Sequence, residues 1–326
     1  MSRVSSSWHT SDIFLKASIV YTEWAEYIGI QSREVILLAT EKATSLQILA
    51  DCLCSAGKLF SRGEDLNRAE KSFKHAIELH QQAQDVLGEA NDLQSLGRVQ
   101  MRRDELEEAE KSFKHAIELH QQAQDVLGEA HDLCNLGQVQ MHQSELKEAE
   151  KSFKHAIELH QEAHSVLGEA NDLRNLGQVQ MHQSELAEAE KSFKHAIELH
   201  QEAYSVLGEA NDLRNLGQVQ MHQSELEQAE KSLKHAIELH QQAHAVLGQA
   251  NDYRALAELR MKQNQFNAAE TCLNRALSMH KLAQDPRGER LDLQLLAKLH
   301  DLQLEVKQTD KLQGNEMGSE GTFKMI

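Results

Sequence analysis

Between Gly168 and Gln183 the apolar positions advance in steps of three and four. Leu173, Leu176 and Gly177, with the polar Gln180, fall at i, i+3, i+4 and i+7, one stripe of a helix. A second stripe follows Ser184 and consists of Ala189, Phe193, Ala196, Ile197 and Val206. The pattern predicts a helical hairpin of about 15 and about 22 residues. Ser184, like Asp104 in an equivalent stretch, stands where an N-cap is needed, and Glu107 and Glu227 follow Asp104 and Ser224 by three residues as in a capping box. Gly208 offers the left-handed cap that would end the second helix.

The hairpin pattern returns every 40 residues. Residues 130–169 and 170–209 differ only at positions 131, 134, 147 and 164, and the register runs without insertion through 50–89, 90–129, 130–169, 170–209, 210–249 and 250–289. Length alone suggests two globular domains, but a fixed period of this size predicts an elongated stack in which each unit packs only on its neighbours. Such stacks need covered ends. Residues 1–49, which hold both tryptophans and a helix around Val35–Ile48, are expected to form a degenerate N-terminal cap. Residues 290–312 read as a C-terminal capping helix, and 313–326 as a disordered tail.

Small residues at Gly177, Ala189 and Ala196 let two helices approach closely, and Phe193 fills the space between them. Leu173, Leu176, Gly177, Ala189, Phe193 and Ala196 have the spacing of the tetratricopeptide repeat signature. The match recurs in every unit: as Leu93, Leu96, Gly97, Ala109, Phe113 and Ala116 in the second, as Leu53, Gly57, Ala69, Phe73 and Ala76 in the first, and as Leu256, Ala257, Ala269, Leu273 and Ala276 in the sixth. The chain resembles that family, which implies an all-α, right-handed superhelical solenoid of helix-turn-helix repeats. A HEAT or armadillo solenoid shares the period but fits the Gly/Ala/Phe/Ala spacing poorly. Two features depart from the family pattern. The usual period is about 34 residues with a closing proline, and Gln100, Gln140, Gln180 and Gln220 occupy a core-stripe position where an aromatic is usual. The longer period is similar to the repeats of kinesin light chains and spindle-orientation adaptors, and to arrays behind nucleotide-binding domains of fungal signalling proteins.

Composition supports helices: one proline and 4% aromatic residues leave little to build strands from. With 34 Lys and Arg against 51 Asp and Glu the formal charge is -17, and the two signs alternate on the same helices, so neither nucleic acid nor a membrane surface is expected as a partner. No run of about 18 apolar residues occurs, and the N-terminal stretch does not read as a secretion signal, so a cytoplasmic location is expected. Cys52, Cys54, Cys134 and Cys272 have no paired spacing and read as free thiols in a reducing compartment. Among the nineteen histidines, His160 with His164 and His240 with His244 have an i, i+4 spacing that can share a metal, but Gln84, Gln124 and Tyr204 break the pattern elsewhere. Surface histidines copied by duplication are the preferred account, and no metal or cofactor is expected. No phosphate-binding loop, dinucleotide fingerprint, H-E-x-x-H or serine elbow is present, so the chain is read as no enzyme.

In the resembling family the first helix of each pair lines the concave groove. Opposite its core stripe, Asn171, Arg174, Asn175, Gln178 and His182 form one polar line. It recurs as Asn211, Arg214, Asn215, Gln218 and His222, as His131, Cys134, Asn135, Gln138 and His142, and in part as Asn251 and Arg254, beside Ala255, Glu258 and Lys262. Amides offer both donor and acceptor to a peptide backbone, and guanidinium forks suit carboxylates. The expected function is therefore a protein–protein interaction scaffold holding an extended, carboxylate-bearing peptide or protein segment in the groove. The alternatives are a sensor or autoinhibitory module of a nucleotide-binding signalling system, or a histidine-based metal binder.

Overall fold

The computed structural model describes residues 46–319, with side chains to residue 305. The expected N-terminal cap therefore lies, up to residue 45, outside the described residues. Every described element is an α-helix. Six hairpins follow one another: α1 Leu46–Arg62 with α2 Leu66–Ala83, α3 Val86–Arg102 with α4 Leu106–Ala123, and α5 Val126–His142 with α6 Leu146–Glu162. Then come α7 Val166–His182 with α8 Leu186–Glu202, α9 Val206–His222 with α10 Leu226–Gln242, and α11 Val246–Lys262 with α12 Phe266–Leu282. A last helix, α13, runs from Pro286 to Ser319, past the Gln313 at which a disordered tail was expected.

The two helices of a pair are of nearly equal length, unlike the short and long helices expected from the apolar stripes. The reason is a second turn in each period. Left-handed residues recur at intervals of 20, for example Ser144 (φ 65°), His164 (52°), Ser184 (65°) and Tyr204 (52°), and among the described residues none of those outside glycine departs from this series. Around Ser184, the amide of Glu185 donates to the carbonyl of Gln180 at 2.8 Å and that of Ser184 to Met181 at 3.0 Å. Around Tyr204, Ser205 donates to His200 at 2.8 Å and Tyr204 to Gln201 at 3.1 Å. Both are Schellman closures with a side chain at the position usually given to glycine.

Two capping assignments are corrected by this. Asp104, Ser184 and Ser224 are the left-handed residues that close the first helices, and the N-caps of the second helices are Glu105, Glu185 and Glu225, none with a side-chain capping bond. Gly208 does not end a helix. It sits in the first turn of α9, where an added Cβ would lie 2.2 Å from the ring of His200. Asp85 and Asp125 do cap their first helices, accepting from the amides of Gly88 and Gly128 at 3.0 and 3.2 Å.

The core follows the sequence stripes. Phe153 and Phe193 are fully buried, and a Cβ on Gly137 or Gly177 would meet their rings at 2.8 Å. The buried glutamines have an explanation: Gln100, Gln140, Gln180 and Gln220 each accept a hydrogen bond from the serine of the paired helix, Ser112, Ser152, Ser192 and Ser232, at 2.7–2.8 Å. A buried polar pair replaces the aromatic without leaving either group unsatisfied. Met181 and Met221 pack against the leucines of the following hairpin, as gap-filling thioethers do.

The chain divides into two compact units, Met1–Asp172 and Leu173–Ile326. In the first, α2 packs on α1 and α3, and α4 on α3 and α5, while α3 also touches α1 and α5. In the second, α10 packs on α9 and α11, α12 on α11 and α13, and α11 touches α9 and α13.

Candidate functional site

The residues that join one hairpin to the next are histidines and aspartates. Near the end of each second helix a histidine turns inward, and its Nδ1 meets a carboxylate oxygen of an aspartate in the second turn of the next first helix. The pairs are His80–Asp92 at 2.9 Å, His120–Asp132 and His160–Asp172 at 2.7 Å, and His200–Asp212, His240–Asp252 and His280–Asp292 at 2.6 Å. None of these twelve side chains is more than 2% exposed. The imidazole fits because a glycine, such as Gly128, Gly168 or Gly208, faces it from the first turn of that helix. Reading all the histidines as duplicated surface residues is thus corrected for these six. It also separates the two i, i+4 pairs: His160 and His240 bind aspartates inside, while His164 and His244 stand in exposed left-handed turns. Among the described residues no three His, Cys, Asp or Glu groups converge as metal ligands.

The preceding first helix supplies a third member, at positions 54, 94, 134, 174, 214 and 254. The arginines of the predicted polar line occupy the last three. Arg174 Nε donates to Asp212, Arg214 Nη1 to Asp252 at 3.3 Å, and Arg254 Nε to Asp292 at 2.6 Å. Their side chains are only 15–18% exposed. Arg174 and Arg254 also donate to the carbonyls of Gly208 and Gly288 at 3.2 and 3.1 Å and lie against the rings of His200 and His280. The carboxylate these guanidiniums meet is internal, which corrects their assignment to a ligand.

Earlier in the chain the third member is neutral. Gln94 donates to Asp132 at 2.7 Å, and Cys54 lies beside Asp92, where burial and then the neighbouring carboxylate push its thiol up to about 12. Burial raises the carboxyls of Asp92 and Asp132 above their usual range, against the hydrogen bonds from Cys54 and His120 respectively.

The rest of the polar line divides by exposure. His142, His182 and His222 are exposed, as are His131 and Asn171; Gln138, Gln178, Gln218, Asn135 and Asn175 are half-buried. Asn215 is buried at 6% exposure. Asn211 accepts from Arg214 at 2.9 Å and donates to the Leu207 carbonyl at 2.8 Å, and Asn251 accepts from Arg254 at 3.2 Å, so both brace arginines. In the sixth unit Ala255 is buried, Lys262 donates to the Met221 carbonyl at 3.0 Å, and burial holds the Glu258 carboxyl above its usual range. The same face carries Lys58, Arg62, Arg98 and Arg102, all exposed, on α1 and α3. Those basic positions align with the Gln and His of later units and were legible from the register.

A tetratricopeptide repeat family model matches residues 89–162 and 131–202. Among solved structures the fold is similar to that of BtubC (BKLC) from P. vanneervenii, at 16% identity and a TM-score of 0.60, covering 67% of this chain and 92% of that one. It is similar to a Rap protein complexed with competence and sporulation factor, at 12% identity and 0.57, covering 83% and 81%. Nearly identical tetratricopeptide-like repeats of a putative kinesin light chain from Podospora anserina align at 11% identity and 0.51, covering 60% and 95%. A search of curated proteins finds no significant match. Among the described residues no helix is long and apolar enough to cross a membrane.

Proposed function

We propose that this chain, in which a tetratricopeptide-repeat family model matches residues 89–162 and 131–202, is a non-enzymatic protein-interaction scaffold that holds an extended peptide or protein segment along its first helices. One observation carries the reading: amides and imidazoles recur at 40-residue spacing on the solvent-facing side of those helices. Gln138, Gln178 and Gln218 alternate with His142, His182 and His222, and Asn135, Asn171 and Asn175 flank them. Such groups serve a backbone whatever its side chains, and equivalent weak contacts sum along the array. That the Rap protein of similar fold is found with competence and sporulation factor supports the reading. A preference for carboxylates is not retained, since Arg174, Arg214 and Arg254 already face aspartates.

The test is capture of a partner from native extract by the full chain. It is compared with Gln178→Ala/His182→Ala/Gln218→Ala/His222→Ala on the first helices and with Lys191→Ala/Lys194→Ala on α8. The first set should lose the partner and the second keep it, with equal helicity by circular dichroism. Retention by both sets would exclude the first-helix face.

A further inference from the structure

Three consecutive interfaces in the C-terminal unit show how this scaffold holds a guanidinium. For Arg174 and Arg254 the Nε lies on one oxygen of the aspartate, Nη2 reaches a glycine carbonyl in the first turn of the next first helix, and the group lies against the histidine ring, while Arg214 meets its aspartate through Nη1. In the most complete case Arg254 Nη2 is 3.0 Å from His280 Nε2, while His280 Nδ1 is bonded to the other oxygen of Asp292. With Nδ1–H donating to the carboxylate, the neutral ring presents Nε2 as an acceptor to the guanidinium, and the Asn251 oxygen 3.3 Å from Nε2 is itself held by Arg254.

At the third interface the same acceptors are built and remain unused. His160 and Asp172 are each 1% exposed and bonded to one another at 2.7 Å, yet His160 Nε2 and Asp172 Oδ1 have no hydrogen-bond partner. The residue at the arginine position is Cys134, several atoms too short to deliver a cation. Neighbouring groups do not supply one either. His131 packs against His160 with ring centroids 5.3 Å apart, and burial holds the His131 imidazole below the usual range. Arg98, the nearest guanidinium on α3, donates to Gln94 at 3.1 Å. The first interface carries the same two unpartnered atoms, His80 Nε2 and Asp92 Oδ1, but there Lys58 lies near Cys54 and Asp92; at the second Gln94 satisfies Asp132 and only His120 Nε2 is left over. Two orphaned acceptors nine-tenths buried are costly, and the cost falls when a donor arrives. His131, exposed, and Cys134, half-buried, bring the place to the face read above as the peptide groove.

We propose that His160 and Asp172 form a receptor for an arginine side chain of the bound segment, which donates to Asp172 Oδ1 and His160 Nε2 as Arg254 does to Asp292 and His280. The proposal rests on the groove reading for the direction from which the arginine comes. It gives the scaffold a point of register: elsewhere the face reads backbone, and here it reads one guanidinium.

The experiment titrates the full-length chain with N-acetyl-argininamide and follows the imidazole signals by NMR. His160 should shift saturably while His200, His240 and His280 stay still. N-acetyl-lysinamide should act at least tenfold more weakly, and the acetylated norleucine amide not at all. Cys134→Arg should weaken the His160 response at least tenfold and raise the melting temperature, because the interface then resembles the three after it. Cys134→Ala, which adds no cation and no bulk, should leave the response intact and keeps the test valid if the arginine variant fails to fold. An unmoved His160 in wild type, a response equal for lysine, or an undiminished response in folded Cys134→Arg would overturn the proposal. The free amide does not require the groove. If it shifts His160 while the Gln178/His182/Gln218/His222 variant still captures the partner, the arginine receptor stands and the groove reading fails.

Discussion

The N-terminal and C-terminal units build the same buried His–Asp pair and complete it with different chemistry. In the second unit Asp212, Asp252 and Asp292 each face an arginine and a histidine, so the carboxylate charge is balanced where it lies. In the first unit Asp92 and Asp132 face a thiol and an amide instead, and burial raises their carboxyls. One backbone position thus tolerates Cys, Gln or Arg without a change in helix length or turn geometry. What changes is the dependence of the interface on charge. A buried ion pair is weak evidence of net stability, but removing half of it leaves an uncompensated charge in the interior.

The largest expected effect tests that difference directly. Arg254→Met leaves Asp292, fully buried, without its cation, and should destabilise the α11–α13 interface by about 3–5 kcal/mol. Gln94→Met removes only a neutral donor from Asp132, and about 1–3 kcal/mol is expected. Hydrogen exchange resolved by helix is the suitable measurement, because a repeat array opens in parts. Equal losses at both positions would mean that the charge of the third member is irrelevant to the interface.

Next in size come substitutions that should not distinguish the units. Gly128→Ala and Gly248→Ala each place a methyl group 2.4 Å from the ring of His120 or His240, and overpacking of this kind costs about 1–3 kcal/mol. Similar losses in both units would confirm that the imidazole seat is one device built twice. A loss confined to the C-terminal unit would show that the N-terminal histidines can move aside.

Acidity acts with opposite sign on two kinds of carboxyl. The raised carboxyls of Asp92 and Asp132 take up a proton in the folded state before the unfolded one, so their contribution to stability grows as pH falls from neutral through their folded values and is complete below the ordinary carboxylate range. Glu230 behaves oppositely. Hydrogen bonds from Lys234 and then Arg260 hold it at about 2, so its contribution is present above the ordinary range and is lost as pH falls towards that value. Hydrogen exchange followed from pH 7 down to about 2 should show α3 and α5 gaining protection first and α10 losing it below the ordinary carboxylate range, with the two trends absent in the Asp92→Asn/Asp132→Asn and Glu230→Gln proteins respectively. The Glu230 effect is the smaller, since that pair is largely solvated.

The hairpins, their period and the Gly/Ala/Phe/Ala core were readable in sequence because helical periodicity and small-to-large packing leave a local signature. The His–Asp relay was not, because its members lie on different helices and a periodic stripe does not report contacts between them. The mistaken 22-residue helix hid it further: with no glycine or proline at 203–205, no turn was expected there, and His200 read as mid-helix surface. A usable signal did exist within the chain. Positions 80 to 280 and 92 to 292 hold His and Asp in all six units, whereas the series from Gln84 to Gln284 also holds His and Tyr. Constancy beside drift marks a packed residue. The three arginines show the limit of wheel arithmetic, which gave their face of the helix correctly but not the aspartate on the next helix within their reach.

The turns that misled the reading also give the smallest effect and the one most independent of the relay. Ser144 and Ser184 hold φ at 65° and Tyr204 at 52°, where a Cβ crowds the following carbonyl at about 1–2 kcal/mol. Glycine removes that strain but gains freedom in the unfolded chain, worth about 0.4–1 kcal/mol the other way. Each of Ser144→Gly, Ser184→Gly and Tyr204→Gly should therefore stabilise by up to about 1 kcal/mol. Tyr204 is 92% exposed, so little packing is lost with its ring. Because Ser144 belongs to the first unit and Ser184 to the second, equal gains in thermal unfolding would place the difference between units in the relay alone. Unequal gains would mean that the hairpins themselves differ in how tightly their turns are held.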